Sequence, residues 1–446
     1  MSTDTTKTGA SATDQGAAPK PGARDPGAAA PSAATGNDAA ADGDRNRITN
    51  WGNQPMAAYL PPADRARAAI HDFRPNPHLR KNPTDFSISL RNRMSTDQQL
   101  HYPGARKQSM RGFEDHYTDI VDFIVRGTHR AWEEKDIGYV YDFYKHNILI
   151  RDEESVRCGR DAVIAGSLGL MNAFPDLRWI PTEVIWAGDD ENGFYTSHRS
   201  FFVGTNTGWS AFGPPTGRRC TWWVVANCIT IGNEIFDEWV IENSASMIQQ
   251  LGLDVRQVAR ETANTVDVDA FALIGDGEPD RLRGQSKPSH LPPSTSKEFD
   301  PEDFVRRMLH YVWNWRLIGT VREYCAPNIR AFGPSGRTLF GIGDYMQSII
   351  ARLAMFPDLA YSIDDVYWMG NDVEGYMVAA RWSLIGTHTG HGIYGKPTGR
   401  KVRMWGVSHF SIINQKIQEE WTMFNEFFVL QQLYRDAPAT SSALAG

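Results

Sequence analysis

Two carboxylates, each two residues before a tryptophan, are the first candidates for chemistry in this sequence. Each begins a run of alternating residues: Asp237, Trp239, Ile241 and Asn243, and later Glu419, Trp421, Met423 and Asn425. Alternation with a period of two places such residues on one face of a β-strand. A carboxylate beside a tryptophan in an apolar surrounding has a raised pKa, which suits a general base. The alternative interpretation places Asp237 and Glu419 at a solvated rim, without a chemical role.

Two arginines, Arg199 and Arg381, fall in the middle of predicted strands. A guanidinium inside a fold needs a carboxylate partner. One interpretation pairs these arginines with Asp176 or Asp358 as structural ion pairs. The other has them bind a carboxylate or carbonyl of a substrate. The candidate binding residues so far are Arg199, Arg381, Trp239, Trp421, Asn243 and Asn425.

The elements that would position these residues come in a repeated order. Apolar residues recur at three- and four-residue spacing after Phe113, which predicts a helix. β-rich stretches follow, and the turn at Gly232 and Asn233 between two of them is typical of a hairpin. Helices followed by consecutive antiparallel strands predict an α+β fold. The same order returns after a proline-rich connector around residues 286–303.

The second half of the chain repeats the first. Residues 174–251 and 356–433 align without a gap at an offset of 182, with 29 identities in 78 positions. Unrelated segments agree at only about one position in fifteen to twenty. The shared pieces include the sequences FPDL and PTGR and a glutamate–tryptophan pair. A whole domain therefore recurs, and PTGR is interpreted as a tight connection between strands because Pro fixes φ and Gly permits positive φ.

These shared pieces resemble the SnoaL-like polyketide cyclase group of the nuclear-transport-factor-2-like superfamily. The family pattern appears here as FPDL from Phe356, GTHTG from Gly386, PPTGR ending at Arg218, and EEW ending at Trp421. The resemblance covers residues 115–252 and 302–435. It implies two cones, each a curved antiparallel sheet wrapped around N-terminal helices with an apolar cavity at the open end. It also implies chemistry without a cofactor, and sheet-to-sheet pairing that two copies in one chain supply internally.

The resemblance also suggests site residues. The family's catalytic histidine position corresponds to His409 in the second copy and to Asn227 in the first, and its aspartate position corresponds to Asn243 and Asn425. An amide cannot accept a proton at neutral pH. The second copy thus offers both His409 and Glu419, whereas the first offers Asn227 and Asp237. We therefore predict His409, Glu419 and Asp237 as catalytic candidates, with the activity in the second copy.

Composition sets limits on the class of protein. The chain has 446 residues, a net charge of −7 and 41% hydrophobic residues, which excludes a strongly basic nucleic-acid binder. No stretch of eighteen apolar residues predicts a membrane span, and no signal peptide is evident. The four cysteines show no metal-site spacing and are expected to be buried thiols. We expect a cytoplasmic location, no metal, no nucleic-acid or membrane partner, and further oligomerisation as an open question.

Changes in composition along the chain also predict where its segments and domains begin and end. Residues 1–50 are expected to be a disordered tail, because they offer almost nothing to bury. Residues 51–114 are expected to form a basic extension, which either contacts an acidic partner or covers the same chain. The two domains then occupy 115–252 and 302–435, separated by a linker at 253–301 and followed by a flexible end at 436–446.

Two functions remain open at this stage. The first is a cofactor-independent enzyme, a cyclase, isomerase, dehydratase or hydrolase, that acts on a small and largely apolar molecule. The second is a non-catalytic ligand-binding or scaffold protein built from paired cones. The two differ in whether a titratable group lies deep in either cone.

Overall fold

The structure is a computed structural model and describes residues 49–50, 54–55, 75–92, 96–101, 104–152, 154–265 and 288–436. The chain divides into two compact units, Met1–Tyr59 and Leu60–Gly446. In the first unit, the strands Thr49–Asn50 and Gln54–Pro55 pair antiparallel. The predicted disordered tail lies almost entirely outside the described residues. Both repeats belong to the second unit.

The described part of the basic extension lies on both repeats. It includes a short helix, α1 (Thr96–His101). The Gly188 N–H of the first repeat donates to the Lys81 carbonyl at 2.7 Å, and the Gly370 N–H of the second donates to the Pro83 carbonyl at 3.0 Å. Apolar side chains of the same segment, Phe86 among them, are buried. These contacts favour an extension that covers its own chain over an arm for an acidic partner.

The two repeats have the same sequence of elements. The first repeat has three helices before or between its first strands: α2 (Ile120–Trp132), α3 (Val140–Phe143) and α4 (Arg160–Ala173). Its six strands are β1 (Tyr144–Arg151), β2 (Val156–Cys158), β3 (Arg178–Asp189), β4 (Gly193–Thr205), β5 (Arg219–Ile231) and β6 (Glu234–Glu242). Helix α5 (Ser244–Gln250) closes the repeat. Helix α6 (Val255–Thr262) follows. The second comprises the helices α7 (Pro301–Leu309), α8 (Val321–Tyr324) and α9 (Gly341–Met355), the strands β7 (Cys325–Phe332), β8 (Thr338–Phe340), β9 (Ala360–Asn371), β10 (Gly375–Thr387), β11 (Lys401–Ile413) and β12 (Lys416–Phe424), and helix α10 (Glu426–Tyr434).

Each repeat forms one six-stranded sheet, with the orders β2-β1-β6-β5-β4-β3 and β8-β7-β12-β11-β10-β9. The four long strands of each sheet are consecutive and antiparallel, as predicted. One pair in each sheet, β1 with β6 and β7 with β12, is parallel. Register shifts interrupt β3, β5, β9 and β11, and such bulges bend a sheet. The α+β tandem fold is thereby confirmed, in mixed rather than purely antiparallel sheets.

The hairpin predicted at Gly232 and Asn233 is present between β5 and β6. Both residues have positive φ, 55° and 71°, which matches the twist of flanking strands. In the second repeat Asn414 and Gln415 take the same conformation, with φ of 51° and 56°. The turn geometry is thus kept although the residues differ.

The shared FPDL and PTGR sequences have structural roles. Asp176 of the first FPDL accepts hydrogen bonds from the Thr205 backbone at 2.6 Å and from its hydroxyl at 2.7 Å. Asp358 makes the same two bonds with Thr387 at the same distances. The glycine of each PTGR has φ of +69°. These sequences recur because they fasten the connection between the second and third long strands in each repeat.

Two apolar cores fill the concave faces of the sheets, and a third cluster lies between the sheets. The inter-sheet cluster comprises Val225, Ile241, Trp405, Val407, Met423 and Phe428. Its members come from both repeats, so the two sheets pack face to face within the chain. Both faces of the long central strands are consequently buried.

Two expectations need correction. The predicted linker, 253–301, contains helix α6, whose cap Asp254 accepts hydrogen bonds from the N–H groups of Arg256 and Gln257. Apolar Val255, Val258 and Ala259 of this helix are buried, a short 3.6-residue pattern that the polar surroundings obscured. The cysteines are not all buried, because Cys158 is exposed. No helix among the described residues is long and apolar enough to cross a membrane.

Candidate functional site

The structure places His409 between the two sheets rather than in a cavity. Its Nδ1 lies 3.0 Å from Glu183 Oε1, and its Nε2 lies 2.6 Å from Ser197 Oγ. Ser197 also donates to Asn227 Oδ1 at 2.6 Å. Burial lowers the pKa of His409, and the neighbouring Glu183 opposes that shift only in part. This histidine therefore joins the two repeats through buried hydrogen bonds, and it is not part of the lining of the cavity in the first repeat.

The predicted arginines and tryptophans also meet between the repeats. Arg199 lies 3.8 Å from the ring centre of Trp421, and Arg381 lies 3.6 Å from that of Trp239. Each arginine thus covers the tryptophan of the other repeat, a cation–π arrangement. Arg199 also pairs with Glu183 at 3.2 Å, not with Asp176. Burial alone would raise the pKa of Glu183, but Arg199 and His409 together lower it to about 2.

Both predicted carboxylates have arginine partners. Asp237 forms an ion pair with Arg151, and burial raises its pKa against the effect of that arginine. Glu419 pairs with Arg330 at 2.7 Å and accepts a hydrogen bond from the Trp421 indole at 2.5 Å. Both stand on the outward face of their sheets. Neither carboxylate belongs to the lining of the cavity in the first repeat, and their catalytic role stays a prediction.

The predicted asparagines cap helices. Asn243 accepts from the Ser246 N–H at 3.3 Å at the start of α5, and Asn425 accepts from the Phe428 N–H at 3.1 Å at the start of α10. Asn425 also reaches the wall of the cavity described next. N-cap side chains of this kind satisfy helix N–H groups that have no other partner. The structure therefore brings the predicted residues together at one interface, with Asn425 as the member that touches the cavity.

A cavity of about 770 Å³ lies inside the first cone. Helices α2 and α4 form one wall, and the concave faces of β4, β5 and β6 form the other. Most of its lining is apolar or aromatic, including Trp132, Phe143, Trp179, Phe202 and Phe212. A volume of several hundred Å³ with few polar groups is typical of a small-molecule site. The first copy, and not the second as predicted, therefore contains the candidate site.

Two glutamates of β6 project into this cavity, Glu238 and Glu242. Burial raises the pKa of Glu238 to about 7, although the Tyr144 hydroxyl and the Cys228 thiol donate hydrogen bonds to it. Burial also raises the pKa of Glu242 to about 7, against a hydrogen bond at 3.2 Å from the Trp222 indole. A carboxyl group with a pKa near 7 exists in both forms at neutral pH. Each can therefore take up or give up a proton there.

Three further polar side chains of the cavity wall have a buried atom without a hydrogen-bond partner: the Nε of Arg157, the Nδ1 of His198 and the Oγ of Ser200. His198 is 7% exposed and its Nδ1 has none, and Ser200 is 1% exposed and its Oγ has none. Burial, together with the charge of His409, lowers the pKa of His198 to about 4, so the imidazole is neutral at pH 7. Buried polar atoms without partners are costly. Their placement on the wall of a cavity suits hydrogen bonds to a bound molecule.

The second cone fills the equivalent space. At the offset of 182, Trp382 stands where the first cone has Ser200, and Phe424 stands where it has Glu242. The Trp382 ring stacks on Tyr361 at 5.1 Å, and Phe424 packs beside it at 6.0 Å. Gly406 makes this possible, because a Cβ at that position would overlap the Trp382 ring.

The glutamate of the second cone is held by its neighbours. Glu420, the counterpart of Glu238, accepts hydrogen bonds from Tyr345 and, at 2.5 Å, from Thr422. Burial raises its pKa against both bonds. Tyr345 takes the position of Val163 in the first cone, where a tyrosine from another position, Tyr144, donates to Glu238 instead.

The alternation of side chains along β6 explains why the prediction from sequence fell on the face opposite the cavity. Glu238 and Glu242 alternate with Asp237, Trp239 and Ile241, so the inward and outward faces of β6 carry equally plausible residues. Because both faces are buried, polarity does not distinguish them. The signal that could have done so was the comparison between copies: serine against tryptophan and glutamate against phenylalanine indicate an open and a filled cone. Across the described part of the chain, no group of three His, Cys, Asp or Glu residues is arranged to hold a metal ion.

The fold defines a tandem pair of α+β domains, and the first of them contains the cavity described above. The chain belongs to the SnoaL-like polyketide cyclase family. The family model matches residues 106–251 and again residues 303–433, together more than half of the chain. The predicted resemblance is thereby confirmed in both copies. Among curated proteins, none matches the chain significantly.

Several solved structures are similar to a single cone of this chain. A candidate SnoaL-like polyketide cyclase from Jannaschia sp. CCS1 is 19% identical, spans 32% of this chain and 100% of its own, and has a TM-score of 0.28. IdmH, a candidate polyketide cyclase from Streptomyces antibioticus, is 24% identical over 30% of this chain and 99% of its own, with a TM-score of 0.27. A SnoaL-like polyketide cyclase from Agrobacterium tumefaciens strain C58 is 18% identical over 30% and 99%, with a TM-score of 0.26.

Proposed function

We propose that this protein is a cofactor-independent enzyme that moves a proton on a small, largely apolar molecule held in the first cone. The observation that supports this most strongly is the pair of buried carboxyl groups, Glu238 and Glu242, each with a pKa of about 7, on the wall of a cavity of about 770 Å³. Cyclisation of the aldol type, isomerisation and dehydration share such a proton transfer. The cones of the two repeats act as an internal pair in which the second supports the first.

The two carboxyl groups divide the chemistry between them. Proton abstraction next to a carbonyl needs a base for the C–H proton and a donor for the oxygen that becomes negative. With both pKa values near 7, the state in which one carboxyl is ionised and the other protonated is well populated at neutral pH. The ionised group accepts the proton, and the protonated group donates a hydrogen bond to the oxygen.

The positions of these groups set the scale of the substrate. Glu238 and Glu242 are four residues apart on β6, which separates their Cα atoms by roughly 13 Å at about 3.3 Å per residue. Glutamate side chains extend inward and shorten that span. To act on one C–H group and its adjacent carbonyl, the two side chains must converge between these positions, while the apolar remainder of a substrate of about two or three rings fills the rest of the cavity. His198 and Ser200 face them across the sheet and supply hydrogen-bonding partners for its polar groups.

Elimination of 5-nitrobenzisoxazole tests the proposal without knowledge of the natural substrate. A base removes the C–H proton of this probe, the N–O bond breaks and a coloured phenolate appears. We expect the protein to accelerate this reaction with a rate that rises with pH through about 7 as the carboxyl groups ionise. Glu238→Gln or Glu242→Gln should lower the rate by about a hundredfold, the scale of a lost general base.

Two matched controls accompany these variants. Glu420→Gln removes the equivalent carboxyl group from the filled second cone, and Glu374→Gln removes an exposed one. Both should leave the rate unchanged. A rate no higher than that of acetate at equal concentration, or equal rates in all four variants, would reject the proposed acid–base role.

A further inference from the structure

The cavity wall carries more acid than base. Glu154, Glu238 and Glu242 line it, and burial raises the pKa of Glu154 to about 7 as well, with a further increase from Asp152. Among the described lining residues, Arg157 is the one permanent cation, and its guanidinium pairs with Asp152 at 3.0 Å. His198 adds no charge, because its pKa is lowered to about 4 by burial and by His409. The buried Nε of Arg157 has no hydrogen-bond partner, but the charge of this arginine is already paired with Asp152. The carboxyl groups of Glu154, Glu238 and Glu242 therefore outnumber the cations available to balance them.

The remainder of the wall is rich in aromatic rings. Those that line the cavity are Trp132, Phe143, Tyr144, Phe174, Trp179, Phe202, Trp209 and Phe212. The faces of aromatic rings carry negative partial charge and attract organic cations, most strongly when the cation has lost water. Rings and carboxyl groups in one cavity favour the same sign of ligand charge.

Two of the three buried atoms without partners, His198 Nδ1 and Ser200 Oγ, fit the same chemistry. Ser200 pairs across β4 and β5 with Val224, and Val224 pairs with Glu242 on β6. Ser200 and Glu242 thus stand in one row of the sheet, two strands or about 10 Å apart at the backbone. His198 occupies the next inward position of β4, in a row with Ala226 and Val240. The serine oxygen and one nitrogen of a neutral imidazole can accept hydrogen bonds, which an ammonium group between these rows could donate.

We propose that the molecule bound in the first cone carries a cationic amino group on an apolar, ring-containing body. The ammonium lies between Ser200 and Glu242, with the glutamates as counter-charge and the aromatic wall around the rings. This assignment rests on the proposed function, because it uses the same cavity, and it adds the charge class of the ligand. Binding of the cation favours the ionised carboxyl groups, so protons leave the protein when the ligand binds.

Three probes that share a ring system and differ in charge test this proposal. They are 2-naphthylmethylamine, 2-naphthylmethanol and 2-naphthoic acid, whose binding to the full chain is measured by titration calorimetry at pH 7. We expect the amine to bind at least about tenfold more tightly than the alcohol, the ratio given by 1.4 kcal/mol of ion pairing and cation–π attraction. The acid should bind more weakly still. Titrations in two buffers of different ionisation enthalpy should show proton release for the amine and none for the alcohol.

Substitutions in the cavity wall test whether the preference for the amine over the alcohol arises there. In the double variant Glu238→Gln with Glu242→Gln, the amine should lose its advantage over the alcohol, whereas Glu374→Gln should keep it. Because the three probes are also compared on the unaltered protein, a double variant that fails to fold leaves the test intact.

The possible results separate this inference from the proposed function. Equal or tighter binding of the alcohol or the acid, with no proton release by the amine, overturns the amine proposal while the cavity remains a binding site. Failure of all three probes to bind counts against the cavity as a binding site for ring compounds and so against both. Preference for the amine with proton release supports the assignment, even if the benzisoxazole reaction shows no acid–base catalysis.

Discussion

Glu238 and Glu420 show how neighbours decide what one residue type can do. They occupy the same position in the two repeats, and burial raises the pKa of both. In the second cone, Tyr345 and Thr422 donate hydrogen bonds to the carboxyl oxygens, and aromatic rings fill the space around them. In the first cone, Glu238 also has two donors, the Tyr144 hydroxyl and the Cys228 thiol at 3.7 Å, but it lines the cavity. The first carboxyl is thus exposed to a cavity and the second is a part of the core.

Replacement of Glu238 should reveal its buried state through the pH dependence of stability. A carboxyl with a pKa of about 7 in the folded protein and 4.5 ordinarily holds its proton more tightly when folded. The protein therefore loses stability as pH rises from about 4.5 to 7, by on the order of 3 kcal/mol in total. Glu238→Gln removes this dependence. Urea unfolding should show that the free energy of unfolding of the variant, relative to that of the unaltered protein, increases between pH 4 and pH 8. If the two free energies differ by the same amount at both pH values, the argument is contradicted.

His409→Asn tests a different kind of residue. The change removes hydrogen bonds that join Glu183 of the first repeat to the second, within the space between the sheets. Loss of buried hydrogen-bond partners should lower the free energy of unfolding by about 1–3 kcal/mol. The benzisoxazole rate should remain within about twofold, since this residue lies outside the cavity. A rate that falls about a hundredfold in a variant of unchanged stability would restore His409 as a catalytic residue.

At the scale of the strand, each long central strand of this protein has two buried faces. The sequence alone predicts the hairpin at Gly232 and Asn233, the PTGR turns and the order of helices and strands, because turn residues and periodicity are local signals. It does not predict which face of β6 meets a cavity, since Asp237 and Trp239 on one face look as suitable as Glu238 and Glu242 on the other. That choice depends on the packing of one sheet against another, which is a property of residues far apart in the chain. Helix α6 was missed for a related reason: its short apolar pattern lies in polar surroundings, and its burial depends on packing against α10 and the core of the second repeat, far away in the chain.

Ser200 of the first cone and Trp382 of the second occupy equivalent positions, and this pair tests whether the second cone is filled. Trp382 is 2% exposed and packs on Tyr361 and Phe424. Trp382→Ala should lower the free energy of unfolding by roughly 3–5 kcal/mol because it leaves a large void. Ser200→Ala, at the matching position of the open cone, removes only an oxygen without a partner and should cost less than about 1 kcal/mol. Similar losses in the two variants would contradict the picture of one filled and one open cone.

The reverse exchange should close the site. Ser200→Trp together with Val224→Gly reproduces in the first cone the tryptophan and glycine of the second. We expect the introduced ring to occupy the cavity and to abolish binding of 2-naphthylmethylamine, with little loss of stability. Val224→Gly alone serves as the control and should retain binding. Unchanged affinity in the double variant would show that ligands bind elsewhere.

For the whole molecule, the two cones are joined across a broad interface of apolar side chains and crossed arginine–tryptophan contacts. Val407 and Ile241 lie in the inter-sheet cluster, and Arg199 and Arg381 each cover a tryptophan of the other repeat. Calorimetry of the full chain should therefore show the two repeats unfolding in one transition. Val407→Asp would place an unpaired charge between the sheets and should split that transition or lower its midpoint by several degrees. Two separate transitions in the unaltered protein would show that the interface does not couple the repeats.

The pair formed by Trp382 and Gly406 limits the order in which the two copies could have become different. A side chain larger than hydrogen at position 406 overlaps the Trp382 ring, and in the open cone the same two positions hold Ser200 and Val224. Starting from an open ancestor, valine had to become glycine before tryptophan could enter without overlap. The return path requires the opposite order, with tryptophan lost first at the large cost of an empty core. The two positions therefore constrain each other, so that neither copy can acquire the residues of the other in an arbitrary order.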